Sequence, residues 1–201
     1  MSAARAERIE LARIAPQRWK NGAGLTREIA SHASPGGAGF DWRVSLAEVT
    51  RDAPFSAFPG IDRCTLLLAG AGMRLASRDG RIDHALVDPL LPFRFDGAAA
   101  IDATLVGGAC ADFNVMTRRG VFTSEVVCHR GAAELPSAAA TLLWCQAGAW
   151  RVEVGEAGEP HTLAPAQGLL WRAPTGRLGV HPLEGTAPAL LAVRLCHDPA
   201  R

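Results

Sequence analysis

The sequence predicts an all-β fold of two stacked jelly-roll β-barrels. Three observations carry this: short apolar segments recur along the chain, glycine (21) and proline (13) punctuate them, and the first half is echoed in the second at a constant offset.

The segments Arg43–Val49, Thr65–Ala69, Met73–Ala76, Ile101–Val106, Val121–Val127, Thr141–Cys145, Trp150–Val154, Leu169–Trp171 and Ala189–Leu195 read as strands. They have the length of ordinary strands, roughly 4–8 residues, and turn residues bound them. Arg78-Asp79-Gly80 and Gly155-Glu156-Ala157-Gly158 are turn sequences between such runs. The alanine-rich stretch Ala132–Ala140 holds a proline, so it supports one helical turn or a loop. Many short strands with frequent turns indicate a sandwich or a barrel.

The echo is specific. Thr65-Leu66-Leu67-Leu68 aligns with Thr141-Leu142-Leu143-Trp144 at an offset of 76 residues. The same offset places Gly72 on Gly148, Pro89 on Pro165, Phe93 on Leu169 and Phe95 on Trp171. A gap-free repeat of strand, turn, strand and proline reports a duplicated structural unit. The expected domains are 1–128, an N-terminal barrel, and 129–201, a C-terminal barrel able to share strands with the first.

Composition bounds the function. The chain is 48% apolar and 20% charged with a formal net charge of +1, which suits a globular core. No basic run or charge excess points to nucleic acid or an anionic membrane. Met1–Leu11 lacks an apolar signal-like stretch, and no window approaches a membrane span. A cytoplasmic location is expected. Five cysteines without a C-x-x-C pair imply reduced, mostly buried thiols.

Four segments can carry chemistry. In Trp19-Lys20-Asn21-Gly22-Ala23-Gly24-Leu25-Thr26-Arg27-Glu28-Ile29 the glycines suit a special backbone turn, but no Gly-Lys-Ser/Thr follows, so no phosphate loop is implied. Beyond them Leu25, Arg27 and Ile29 share one strand face and Thr26 and Glu28 the other, which lines a polar pocket or meets solvent. In Phe40–Val49, Trp42, Val44 and Leu46 alternate with Arg43, Ser45 and Ala47; Arg43 can grip a carboxylate or face water. The stiff aromatic loop Ala53–Arg63 either plugs a barrel mouth or touches a ligand. Asp112, Asn114, Met116 and Arg118 share one face of a strand; such a polar face binds something or bonds internally.

Taken together these segments resemble the HutD/Ves family. Trp19–Gly24 with Thr26-Arg27-Glu28 is similar to its WKNGGGxTREI signature. Asp41–Ser45, Phe55–Arg63 and Asp112–Arg118 continue the match in the family's order. Two departures stand out: Ala23 replaces the middle glycine, and Phe95-Asp96-Gly97-Ala98 lacks the acid that follows the family's glycine. The resemblance implies a double cupin, or bicupin, associated with histidine utilisation. It further implies binding of a small acidic metabolite, such as formylglutamate, rather than its turnover.

Cupin enzymes commonly hold a metal through His-x-His, a glutamate and a later histidine. Here no two of the six histidines are separated by a single residue. No metal, cofactor or catalytic residue is therefore assigned. The expected function is a ligand-binding module that senses or tempers histidine utilisation; the alternative is a cupin-type isomerase or hydrolase acting on a small acid. The expected ligand-binding residues are Asn21, Thr26, Glu28, Arg43, Ser45, Phe55, Phe58, Asn114 and Arg118. Trp144, Trp150 and Trp171 offer aromatic area for a homodimer surface or for a core.

Overall fold

The computed structural model describes residues 5–37, 39–155, 158–183 and 187–199. Among these the chain is all β, with one 3-10 turn at Leu11–Arg13 and no α-helix. The expected turn at 155–158 lies partly outside the described residues. Two compact units form. One holds Ile14–Phe122 with the tail from Asp198; the other holds Thr123–His197 with the residues up to Arg13.

The N-terminal unit pairs two sheets. The larger runs in the order β2 (Gln17–Arg18), β3 (Gly24–Ala33), β4 (Phe40–Val49), β11 (Cys110–Arg118), β6 (Ile61–Ala69), β9 (Phe93–Asp96). The smaller runs β5 (Ala53–Pro54), β10 (Ile101–Leu105), β7 (Met73–Ser77), β8 (Asp83–Leu86). In the C-terminal unit the order is β1 (Glu7–Glu10), β17 (Gln167–Trp171), β14 (Ala140–Ala147), β19 (Ala189–His197), β12 (Phe122–His129). Its second sheet is β13 (Ala133–Leu135), β18 (Leu178–Pro182), β15 (Trp150–Val154), β16 (His161–Leu163).

The duplication extends to eight strands of each unit, while β2 and β3 on one large sheet and β1 on the other have no counterpart. The order β4-β11-β6-β9 recurs as β12-β19-β14-β17, and β5-β10-β7-β8 recurs as β13-β18-β15-β16. The offset of 76 even maps one positive-φ side chain, Leu90 (φ 66°), onto another, Ala166 (φ 63°). The sheets stop short of closed barrels. Each unit is an open, cupin-like pair of sheets, because edge strands such as β2 and β5 are only two residues long and do not bridge the gap. Ala133–Leu135 of the alanine-rich stretch forms a short edge strand instead of a helical turn.

Strand β1 departs from the expected domain division. It pairs antiparallel with β17, Glu7 opposite Leu170 and Glu10 opposite Gln167. Glu7–Glu10 thus belong to the C-terminal unit.

Both cores follow from alternation. In the N-terminal unit Val49, Leu67, Phe95 and Cys110 point inward from the large sheet onto Met73, Leu75, Leu86, Ile101 and Ala103 of the small one. The C-terminal unit is filled by Leu143, Trp150, Val152, Leu163, Leu169, Trp171 and Leu190 among others. Trp150 and Trp171 are thus core residues, and Trp144 is buried too, so these rings supply no free aromatic surface. Burying each is worth several kcal/mol, about 3–5 by truncation to alanine.

Gly72 opens β7 with φ +91°, and a Cβ there would come within 2.2 Å of the Leu86 carbonyl oxygen. Gly72→Ala is expected to destabilise the protein by roughly 3 kcal/mol, from the left-handed backbone and the collision together. Urea unfolding would show it; a change below the usual surface range would mean that the β7–β8 corner yields.

Candidate functional site

The inner face of the large N-terminal sheet changes character along its strands. On β4 the inward residues run Arg43, Ser45, Ala47, Val49; on β11 they run Met116, Asn114, Asp112, Cys110; on β6 they run Arg63, Thr65, Leu67. The register sets these rows side by side: Met116 opposite Arg43 and Arg63, Asn114 opposite Ser45 and Thr65, and Asp112 opposite Ala47 and Leu67. One end of the face joins the apolar core, and the other lines a cavity of about 700 Å³.

The glycine-rich motif builds one wall. Gly22 (φ +66°) turns the chain, its N–H donating to the Trp19 carbonyl at 2.9 Å. Asn21 Oδ1 accepts from the Ala23 N–H at 3.0 Å, and Arg51 donates to the Asn21 carbonyl at 2.8 Å. Gly24 lies so near β4 that a Cβ would sit 2.3 Å from the Glu48 carbonyl oxygen. Ala23 needs no such freedom; it is buried with ordinary backbone, so losing the middle glycine costs nothing here. The turn brings Trp19 over the strand, where its Nε1 donates to Thr26 Oγ1 at 2.8 Å.

The floor is a buried polar chain. Thr65 donates to Asp112 Oδ2 at 3.2 Å, and Asn114 Nδ2 donates to the same oxygen. Asn114 Oδ1 accepts from Arg63 at 2.9 Å, and Arg63 also donates to the Ser56 carbonyl at 3.3 Å. The Arg63 guanidinium lies among aromatic rings, 5.0 Å from Phe55, 5.9 Å from Phe58 and 4.9 Å from Phe95. Burial pushes the Asp112 carboxyl up to about 6, against the pull of the Arg63 charge and of its two hydrogen bonds. Burial also draws Arg63 down to about 10, with Asp112 opposing and Arg43 adding to the fall.

Of the expected site residues, Asn21, Thr26, Arg43, Ser45, Phe55, Phe58 and Asn114 line this cavity. Two do not. Glu28 sits outside the lining beside a bulge in β3, where it accepts from Ser31 at 2.7 Å and lies 3.0 Å from Arg43 Nε. Arg118 is one step beyond the cavity's end; its guanidinium bonds Asp41 at 3.1 Å, Ser34 at 2.9 Å and the Phe40 carbonyl at 3.0 Å. Both corrections arise because alternation assigns a face but not where along it the cavity stops.

Arg63 and Asp112 were absent from the expected set, as were Arg18, Trp19 and Lys20 at the cavity wall. A signal for Arg63 exists: Arg63-x-Thr65-x-Leu67 has the polar-to-apolar gradient of Arg43-x-Ser45-x-Ala47. In Phe95-Asp96-Gly97-Ala98 the acid before the glycine, Asp96, accepts from the Ala98 N–H at 2.9 Å and pairs with Arg119.

A cupin-type metal does not fit this lining. No imidazole lines the cavity, its single carboxylate is Asp112, and the guanidinium groups of Arg43 and Arg63 are cations that offer a metal no donor. Among the described residues no group of three or more His, Cys, Asp or Glu is placed to hold an ion. His84, for example, is stacked on Phe93 at 3.8 Å. Nor is any helix of the described residues long and apolar enough to cross a membrane.

The fold and cavity define a two-unit, cupin-like protein with a polar, cation-rich pocket in its N-terminal unit. The chain belongs to the HutD family, a family related to histidine utilisation, whose model matches residues 11–187. It is 37% identical over 143 residues, 70% of this chain and 72% of the other, to an uncharacterized 21.2 kDa protein in the hutC 3′ region of Pseudomonas putida. A conserved protein of unknown function from Pseudomonas aeruginosa PAO1 superposes with TM-score 0.84 at 27% identity, over 96% of this chain and all of its own. HutD from Pseudomonas fluorescens SBW25, solved in a formate condition, gives TM-score 0.83 at 27% identity with the same coverage.

Proposed function

We propose that the N-terminal cavity binds a small carboxylate metabolite of histidine utilisation, with formylglutamate as the leading candidate, and that binding serves to sense or temper that route. The observation that carries this reading is the charge of the lining: Arg18, Lys20, Arg43 and Arg63 against a single acid, Asp112. Inside a partly enclosed, low-dielectric pocket such an excess favours an anion. Arg43 lines the cavity while its Nε is held 3.0 Å from Glu28, and arginine matches a carboxylate with two parallel donors. Ser45, Thr26 and Asn114 stand beside it to meet the ligand's other polar groups, and Phe55 and Phe58 supply an apolar wall. The formate condition of the similar P. fluorescens structure makes formate the smallest sensible probe.

The test is a thermal-shift series on metal-stripped protein with formylglutamate, urocanate, histidine, glutamate, formate and divalent metals. A ligand at a hundred times its Kd stabilises by about 2.7 kcal/mol. A rise with an acidic metabolite and none with metals is the expected result. No rise with any carboxylate would overturn the reading, and a rise with metals alone would favour the cupin-type enzyme, to be followed by a search for turnover.

A further inference from the structure

Asp112 is the only carboxylate among the cavity-lining residues, and it is completely buried. Its two oxygens differ. Oδ2 accepts from Thr65 and Asn114, while Oδ1 has no hydrogen-bond partner. The charged groups around it come from three places: Arg63 on β6, Arg43 on β4, and Arg18 and Lys20 on the wall built by the glycine-rich turn; Glu28 on β3 lies against Arg43. Cys110, two residues before it on β11, and Cys64 on β6 are held protonated, since burial pushes both thiols up to about 11. No histidine lines the cavity.

We propose that the cavity takes up a proton together with its anion, and that Asp112 Oδ1 holds the proton. The inference rests on the carboxylate-binding reading and adds a second, coupled ligand to it. A carboxylate entering above this floor sets a negative charge near one that is already buried, and like charges in a low-dielectric site raise the acid's pKa. Protonation at Oδ1 breaks no existing hydrogen bond. Thr65 and Asn114 keep their acceptor on Oδ2, and through Asn114 the position of Arg63 is kept as well. Because burial already holds the carboxyl near 6, a further rise of about one unit brings half-protonation to neutral pH.

The sign follows from linkage. Affinity is constant below the free-state value, falls as pH rises from there to the bound-state value, and is constant again above it. The fall is about tenfold for each unit separating the two. Asp112→Asn isolates the effect. Its carbonyl can take the place of Oδ2, accepting from Thr65 and Asn114, which leaves the amide NH2 where Oδ1 was. The variant therefore imitates the protonated acid.

The experiment is calorimetric titration of formate, succinate and glutarate in two buffers of different ionisation enthalpy, at pH 6, 7 and 8. Occupancy is read independently from the methyl resonance of Met116, which lines the cavity. Wild type is expected to take up a sizeable fraction of a proton at pH 7 and to bind several-fold more weakly at pH 8 than at pH 6. Asp112→Asn is expected to take up none, to show no pH dependence, and to bind more tightly than wild type at pH 8. A purely structural role for Asp112 predicts the opposite, weaker binding by the variant at every pH. Binding that moves the Met116 methyl without proton uptake would overturn this inference and leave the carboxylate reading standing. If no probe moves that methyl, both fall together.

Discussion

Arg43→Ala is expected to lower carboxylate affinity by about a hundredfold, while Arg118→Ala leaves it unchanged. The two arginines look alike in sequence, each on the polar side of a strand, but their surroundings separate them. Arg43 lines the cavity, with its guanidinium 6.0 Å from the Phe40 ring and its Nε 3.0 Å from Glu28, which holds the group in place at the edge of the space a ligand would fill. Removing one partner of a buried charge-assisted contact costs about 2–5 kcal/mol, and the hundredfold loss sits inside that span. Arg118 is spent on Asp41, Ser34 and the Phe40 carbonyl. Its loss strips a nearly buried carboxylate, Asp41, of its counter-charge, so the cost falls on stability, roughly 1–3 kcal/mol, and not on binding. Calorimetry with the ligand found by thermal shift, alongside urea unfolding, separates the two effects. Wild-type affinity in Arg43→Ala, or its loss only in Arg118→Ala, would place the binding site elsewhere.

Arg63→Ala is expected to be the most damaging single change at the cavity, destabilising by roughly 4 kcal/mol. Three losses coincide. Asp112 loses the cation that offsets its burial, so it is left charged and unpaired or takes up a proton, the Ser56 carbonyl loses a donor, and Phe55, Phe58 and Phe95 lose the group they surround. The first loss can be isolated. In Arg63→Ala/Asp112→Asn the uncompensated charge is gone, so the double variant should be more stable than the sum of the single changes predicts, by about 1–3 kcal/mol. Strict additivity in denaturant unfolding would show that Asp112 and Arg63 do not depend on one another.

The fold was legible because its evidence is local. Trp150–Val154 is bounded as expected, and Thr65–Ala69 and Ala189–Leu195 lie inside longer strands. The repeat at 76 residues anticipated a duplication that the strand orders display for eight strands of each unit. The site was legible only in part, because a cavity is made by register. Arg63 meets Asn114 across 51 residues of sequence, and the gradient of Arg63-x-Thr65-x-Leu67 marks its face but not its burial, which the pairing with β11 produces. Glu28 and Arg118 failed for the opposite reason: their alternation is regular in sequence, but a bulge and a strand end remove them from the lining.

The pairing of β1 with β17 has a consequence for how the chain is made. Glu10 lies opposite Gln167, so on the ribosome β1 emerges more than 150 residues ahead of its partner. At ordinary elongation rates of roughly 5–20 residues per second, that strand spends about eight to thirty seconds with an unclaimed hydrogen-bonding edge. Its composition suits the wait. Glu7, Arg8 and Glu10 surround a single large apolar side chain, Ile9, and such a strand is a poor template for wrong partners. The C-terminal unit is thus completed by a strand translated before the whole of the N-terminal unit, so a nascent chain released ahead of β17 would carry the cavity-lining strands and an unpaired β1.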